Sequence, residues 1–221
     1  MMVSNHSGGT TIPDVWGFGI AWYDAFSVDR PIHPMAHEIV MSTKATARFF
    51  SRRGVLRAGR GVASDVLTNW RRDLLVMPGG DVDTWRPYKD RYKVRFDGRK
   101  GYARTAIKAG VPIVPVAHAG AHSTLLVLSD GRRMAKFLKI KQLARANVWP
   151  IHLSFPWGLT IGPWPHIPTP ANLRYRFGDP IDPPALANGE EPSQAAIDEL
   201  DAAVRAAIQQ MLNGLRDEDH R

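Results

Sequence analysis

The 221-residue chain contains no cysteine. That excludes disulfides, thiolate metal sites and a cysteine nucleophile, and it points to a reducing compartment. No apolar run is long enough for a membrane-spanning helix. The first residues show neither the basic start nor the apolar stretch of a secretory signal. Internal repeats, low-complexity tracts and a Gly-x-Ser-x-Gly elbow are also missing. Acidic side chains are the minority, 21 against 29 Lys and Arg, for a formal net charge of +8. Such an excess suits a polyanionic partner: a phosphate-bearing small molecule, an anionic membrane surface or nucleic acid. The apolar and charged fractions are those of a globular protein, so one domain over residues 1–221 is expected, with 216–221 a frayed tail.

What the chain does contain is a dense early loop, Asn5-His6-Ser7-Gly8-Gly9-Thr10-Thr11-Ile12-Pro13-Asp14. A neutral imidazole takes a proton from an alcohol near pH 7, and a carboxylate on its other ring nitrogen fixes the tautomer. Gly8 and Gly9 allow the tight turn that returns Asp14 towards His6. The competing reading is a polar surface loop with an ordinary histidine. Arg52, Arg53, Arg57 and Arg60 then cluster around Gly54, Gly59 and Gly61. Guanidinium groups bind phosphate through paired hydrogen bonds, although a solvated basic face has the same composition. His118 and His122 stand four apart, but the intervening Gly120 argues against a helix and no acidic third ligand is near. No metal site is expected.

Periodicity predicts a strand stub over 1–4 and a helix over 14–26. That helix is apolar nearly all round, so it either packs in the core, the preferred reading, or faces a lipid-like ligand. A strand over 31–40 and helices over 44–51 and 62–70 follow. A buried strand over 73–77 ends at Pro78-Gly79-Gly80, a turn with backbone N–H groups available to a ligand. Residues 81–97 interleave basic and aromatic side chains, which suits nucleic acid, a nucleotide-bearing donor or lipid headgroups. A helix over 98–109 precedes a strand over 111–116, whose two prolines suggest a sheet edge or a strand end. Residues 125–128 are a short apolar run, strand or loop. Residues 135–146 form a basic amphipathic segment, either a surface helix or one lying on an anionic bilayer. The Trp- and Pro-rich stretch 149–170 excludes a regular helix or a central strand and suits an apolar loop touching membrane. A strand over 173–177 and a long helix over 192–215 complete the chain.

In order, these segments resemble the glycerolipid (lysophospholipid) acyltransferase family, bacterial subgroup, from Asn5 to about Asp182. The carrying motifs are Asn5-His6 with Asp14, then Gly54-Val55-Leu56-Arg57-Ala58-Gly59-Arg60. Val76-Met77-Pro78-Gly79-Gly80 and Val111-Pro112-Ile113-Val114-Pro115-Val116 follow, with Trp85-Arg86-Pro87 marking the subgroup. His6 and Asp14 stand farther apart than the family's usual pair, so Asp24 remains a second candidate partner. Gly79 replaces the family's third-block glutamate. The family's N-terminal segment, often bearing a membrane-associated helix, is expected to be missing.

The resemblance implies an α/β fold: a mixed, largely parallel central sheet with helices on both faces, and His6 and Asp14 at one open edge. It implies transfer of a fatty acyl group from acyl-CoA or acyl-carrier protein to a glycerolipid hydroxyl such as that of lysophosphatidic acid. His6 would be general base and Asp14 would orient it. Arg60, with Arg57 beside Gly54, would hold an acceptor phosphate. Backbone N–H groups of Gly79 and Gly80 would face the oxyanion or the acceptor. No covalent intermediate, cofactor or metal is implied, and the protein would sit peripherally on the cytoplasmic face of an anionic membrane. Two rivals stand beside this: a non-catalytic lipid-binding remnant of the family, and a nucleic-acid-binding protein.

Overall fold

The computed structural model describes residues 1–144, 146–187 and 190–219; the side chains of Glu38, Ile39, Arg60, Leu143 and Ala144 lie outside the described set. Along the chain run β1 (Met2–Ser4), α1 (Pro13–Phe26), β2 (Ile32–Ala36), α2 (Lys44–Ser51), β3 (Leu56–Arg57), α3 (Arg60–Thr68), β4 (Asp73–Val76) and α4 (Gly80–Thr84). After them come α5 (Gly101–Ala109), β5 (Val114–Ala119), β6 (Leu126–Ser129), α6 (Arg132–Phe137), α7 (Ile140–Ala144), β7 (Ile151–Ser154), β8 (Gly158–Ile161), β9 (Arg174–Phe177) and α8 (Gln194–Asp219).

The main sheet has the order β3-β2-β4-β1-β5-β9, and every pair in it is parallel except β5 with β9. β1 lies inside the sheet, apolar towards both layers as a covered parallel strand requires. Val3 faces α3, α5 and α8, while Met2 faces α1. On the first face α8 lays down Ile197, Leu200, Val204, Ile208, Leu212 and Leu215, a stripe at helical spacing. Each such burial stabilises by about 1.5–3 kcal/mol. On the other face, Phe18 and Trp22 of α1 pack on Ile32, Leu75 and Val116.

Several expectations are corrected. α1 is not a core helix throughout: Asp14, Phe18 and Trp22 are buried, whereas Ile20 is 65% exposed. One sheet face holds one stripe of the helix, and the rest of its apolar surface looks outward. β5 is an interior strand rather than an edge, and its prolines fall at its start, as the strand-end alternative has it. Val114 donates to Met1 O on the β1 side, which turns the Pro115 nitrogen towards β9, whose ladder starts only at Val116. The amphipathic 135–146 segment is broken between α6 and α7, where Lys139 takes φ 51°; Arg145 lies outside the described residues.

The 149–170 stretch does hold strands, and β7 is the middle one of a second antiparallel sheet, β6-β7-β8. Its prolines flank the two four-residue strands without entering them. The tail does not fray at 216. α8 runs through Asp219, with Glu218 and Asp219 paired to Arg174 and Glu218 also to Arg176. Among the described residues no helix is long and apolar enough to cross a membrane.

Candidate active site

The site grows from the C-terminal end of β1, the end at which open α/β sheets bind ligands. This corrects the expectation of an open sheet edge. Asn5 anchors the exit: its Nδ2 donates to His118 O at 3.0 Å, and His118 N–H donates back to Asn5 Oδ1 at 2.9 Å. The chain then turns through Gly8 and Gly9 at φ 101° and 71°. A Cβ on Gly8 would lie 2.5 Å from Pro13 Cγ, so only glycine lets the start of α1 fold back this closely.

That turn brings Asp14 Oδ2 to 2.6 Å from His6 Nδ1. The Asp14 side chain is wholly buried, while His6 keeps 12% exposure. Three backbone contacts fix Asp14: Ser7 N–H donates to Oδ2 and Val15 N–H to Oδ1, each at 2.9 Å, and Tyr175 Oη donates to its carbonyl at 2.7 Å. For His6, burial alone would lower the pKa, but the charge and hydrogen bond of Asp14 outweigh it and hold the imidazole above its ordinary value. Burial would likewise raise Asp14, and the attraction of His6 holds the carboxyl below its usual range. Nδ1 therefore carries the proton that Asp14 accepts. Nε2 has no hydrogen-bond partner among the described residues and is the ring's free proton acceptor.

Behind this pair stands His118, with Nε2 2.9 Å from Ser7 Oγ and 3.4 Å from Asp14 Oδ2. Burial pushes its pKa down to about 4, so it is neutral near pH 7. A second carboxylate holds the His6 backbone: Asp83 Oδ2 accepts its N–H at 2.6 Å. Asp83 also pairs with the buried Arg86, whose Nη2 donates to Arg91 O at 3.1 Å. Burial raises the Asp83 pKa against the pull of Arg86. Thr84 Oγ1 donates to Gly9 O at 3.1 Å, and Thr10 Oγ1 lies 2.7 Å from His166 Nε2. The His6 loop is thus tied to β5, to α4 and to the segment after β8. A fixed imidazole with one nitrogen unbonded among the described residues and a buried carboxylate behind it is equipped to move a proton.

The acyltransferase family model matches residues 1–119, more than half of the chain, and includes every strand that carries the imidazole–carboxylate pair. The chain belongs to the acyltransferase family. Uncharacterized proteins of Mycobacterium bovis and Mycobacterium tuberculosis are 27% identical to this chain over 218 residues, 96% of this chain and 56% of theirs. One from Mycobacterium leprae is 26% identical over 220 residues, 96% of this chain and 55% of its own. The chain therefore spans about half the length of the curated relatives it matches. Its fold also aligns, at TM-score 0.46 and 17% identity, with the crystal structure of the 1-acyl-sn-glycerophosphate acyltransferase PlsC from Thermotoga maritima. That alignment covers 95% of this chain and 65% of that one.

Of the remaining expected site residues, Asp24 is exposed on α1, and Asp14 is the partner of His6. Arg57 ends β3, three strands from β1 and about 14 Å away by strand spacing, on the same C-terminal rim, whereas Gly54 precedes β3 and lies towards the opposite rim. The Gly54 carbonyl accepts from His33 Nδ1 at 2.9 Å, and Arg57 Nη2 donates to Met41 O at 3.1 Å. Arg60 opens α3, and its side chain lies outside the described residues.

Gly80 is corrected: its N–H donates to Met77 O at 3.2 Å and is not available to an oxyanion. Gly79 leaves room for Asp83: a Cβ there would lie 2.2 Å from Asp83 Cβ. His118 faces Asp14, whereas His122 packs against Tyr88 and Tyr92 at 5.6 and 5.3 Å. Asp83, its pairing with Arg86 and the place of His118 behind Asp14 escaped sequence reasoning. The only local signal was Asp81 and Asp83 just after Pro78-Gly79-Gly80, and nothing there announced a bond to a residue 77 positions earlier.

Proposed function

We propose that this acyltransferase moves a fatty acyl group from a thioester donor, acyl-CoA or acyl-carrier protein, to a glycerolipid hydroxyl such as that of lysophosphatidic acid. The carrying observation is the 2.6 Å contact of His6 Nδ1 with the buried Asp14, which leaves Nε2 as proton acceptor at the end of β1. Nε2 takes the hydroxyl proton as the oxygen attacks the thioester carbonyl. The carbonyl re-forms, the carbon–sulfur bond breaks, and the imidazolium returns its proton to the leaving thiolate. Asp14 stabilises the imidazolium between those steps. Neither a cofactor nor an acyl-enzyme enters this sequence, in keeping with a chain that has no cysteine.

Arg60, with Arg57, would hold the acceptor's phosphate on the same rim. The net charge of +8 supports attraction to the donor's phosphates and to the anionic surface of the cytoplasmic membrane face. The test is labelled acyl transfer to lysophosphatidic acid, compared with His6→Ala. Transfer by the wild type and its loss in the variant are expected. Equal turnover by the two proteins rejects His6 as the base. No transfer across donor and acceptor panels, with lipid binding retained, would make the protein a non-catalytic remnant.

A further inference from the structure

We propose that the outward face of the β6-β7-β8 sheet is a docking surface for an anionic lipid bilayer. The sheet is built inside out. His152, Ser154 and Thr160 point inward and are buried, with Ser154 Oγ 2.9 Å from Thr160 Oγ1 and His152 Nε2 2.9 Å from Gly162 O. The alternate positions carry Leu153, Leu159 and Ile161, of which the last two are 64% and 57% exposed. Leu153 pairs with Leu159 and Ile151 with Ile161, so these side chains share one face. Exposed Phe155 and Trp157 extend it across the hairpin turn. A half-buried strand in water ordinarily shows the reverse alternation, and a contiguous exposed apolar face marks an interaction site.

Charge selects the partner. The connection between β6 and β7 is the α6–α7 segment, which leaves the sheet at its Ser129 and Ile151 end. Arg133, Lys136, Lys139 and Lys141 are exposed there, none paired with a carboxylate among the described residues, and Phe137 between them is 85% exposed. Apolar and indole side chains beside unpaired cations match a headgroup layer of lipid phosphates over acyl chains. The surface also reaches the site. Exposed Trp164 stacks on His166 at 5.2 Å, and His166 holds Thr10 of the His6 loop. The docking surface rests on the proposed function for its purpose: the bilayer would be the source of the acceptor.

Sedimentation with vesicles tests this, using phosphatidylcholine alone and phosphatidylcholine mixed with phosphatidylglycerol. The wild type is expected to bind the mixed vesicles more strongly. Leu159→Glu/Ile161→Glu should weaken that binding roughly tenfold or more, and Arg133→Glu/Lys136→Glu roughly fivefold per cation removed. Trp157→Ala carries the same test if the double glutamate variant does not fold. The proposal is overturned if the wild type stays in the supernatant, or if every outward variant sediments as it does. A dimer that Leu159→Glu/Ile161→Glu dissociates, with vesicle binding unchanged, would also overturn it and make the face a contact between copies. His6→Ala should bind vesicles like the wild type. If His6→Ala also transfers acyl groups like the wild type while the outward variants lose binding, the catalytic reading falls and the docking surface stands.

Discussion

Replacing Asp14 by asparagine perturbs the site with least change of shape, and the geometry fixes what must follow. Both carboxylate oxygens already accept backbone N–H groups, Ser7 on Oδ2 and Val15 on Oδ1. An amide has one oxygen, so its NH2 must face one of those donors. If it faces Val15, His6 keeps its tautomer but loses the anion that stabilises the imidazolium. If it faces Ser7 and His6, it donates to Nδ1 and drives the proton onto Nε2, which then cannot act as base. Either way one backbone donor is left unpaired, costing about 1–3 kcal/mol of stability.

With His6 as the base, turnover should fall about 10²–10⁴-fold, equivalent to about 2.7–5.5 kcal/mol in the barrier. The pH profile supplies an independent sign. Asp14 holds the His6 pKa above its ordinary value, so wild-type kcat/KM should decline as pH falls through that raised value. Without the anion, burial, the largest single influence on the ring, prevails, and the acid limb should move to lower pH. Initial rates of thiol release from an acyl thioester, followed from about pH 5 to 9, measure both effects. Asp14→Asn with wild-type turnover, or with an unmoved acid limb, refutes the reasoning.

Asp83→Ala should cost about 3–5 kcal/mol in urea unfolding, because it strands the buried Arg86. Asp83→Ala/Arg86→Met should recover part of that loss, and an unchanged midpoint in the single variant would show that the pair holds nothing. Gly79→Ala should lower the melting temperature by an amount equivalent to about 1–3 kcal/mol, since its Cβ would meet Asp83 Cβ at 2.2 Å and Arg95 O at 2.4 Å. An unaltered melting temperature would mean that the turn yields. Burial lowers His118, His122 and His166 to about 4, 3 and 4. Unfolded imidazoles bind protons below about pH 6.5, while these folded ones do not, so stability should drain as pH falls from there towards 4. Each contributes a slope of up to about 1.4 kcal/mol per pH unit; His6, with its raised pKa, works in the opposite direction. Equal melting temperatures at about pH 7 and pH 5 would contradict this, and His122→Phe should flatten the slope.

What was legible in the chain was whatever its neighbours decide. The His6 loop, the turn at Pro78-Gly79-Gly80 and the apolar stripe of α8 follow from glycine placement and helical spacing within a few residues. Fold class followed from strand–helix alternation together with the family resemblance. What was not legible depends on partners far along the chain. In the sequence His118 is half of an improbable ligand pair and has no other role, but it lies on β5, and strand alternation turns it with Val116 towards α1 and Asp14. The all-round apolar α1 looked like core because sequence does not state how many sheets and helices surround it. The Trp- and Pro-rich stretch hid two strands because proline density was averaged over residues that a turn separates.

The departure in the third block and the unforeseen carboxylate are one fact. The chain places Gly79 where the family pattern carries glutamate, and four residues on it places Asp83. A side chain at 79 would occupy the space of the Asp83 Cβ, so the two arrangements exclude each other. With glycine there, α4 can begin at Gly80 and swing Asp83 under the His6 backbone. His6 is then gripped at two points, ring and backbone, by two acids of different character. Asp14, its pKa depressed, holds the ring nitrogen, while Asp83, its pKa raised by burial, holds the peptide N–H. A ring held only at Nδ1 can still swing with its backbone. With the backbone N–H held as well, Nε2 keeps a fixed line of approach, which is the precision that taking a proton from a bound alcohol would demand under the proposed function.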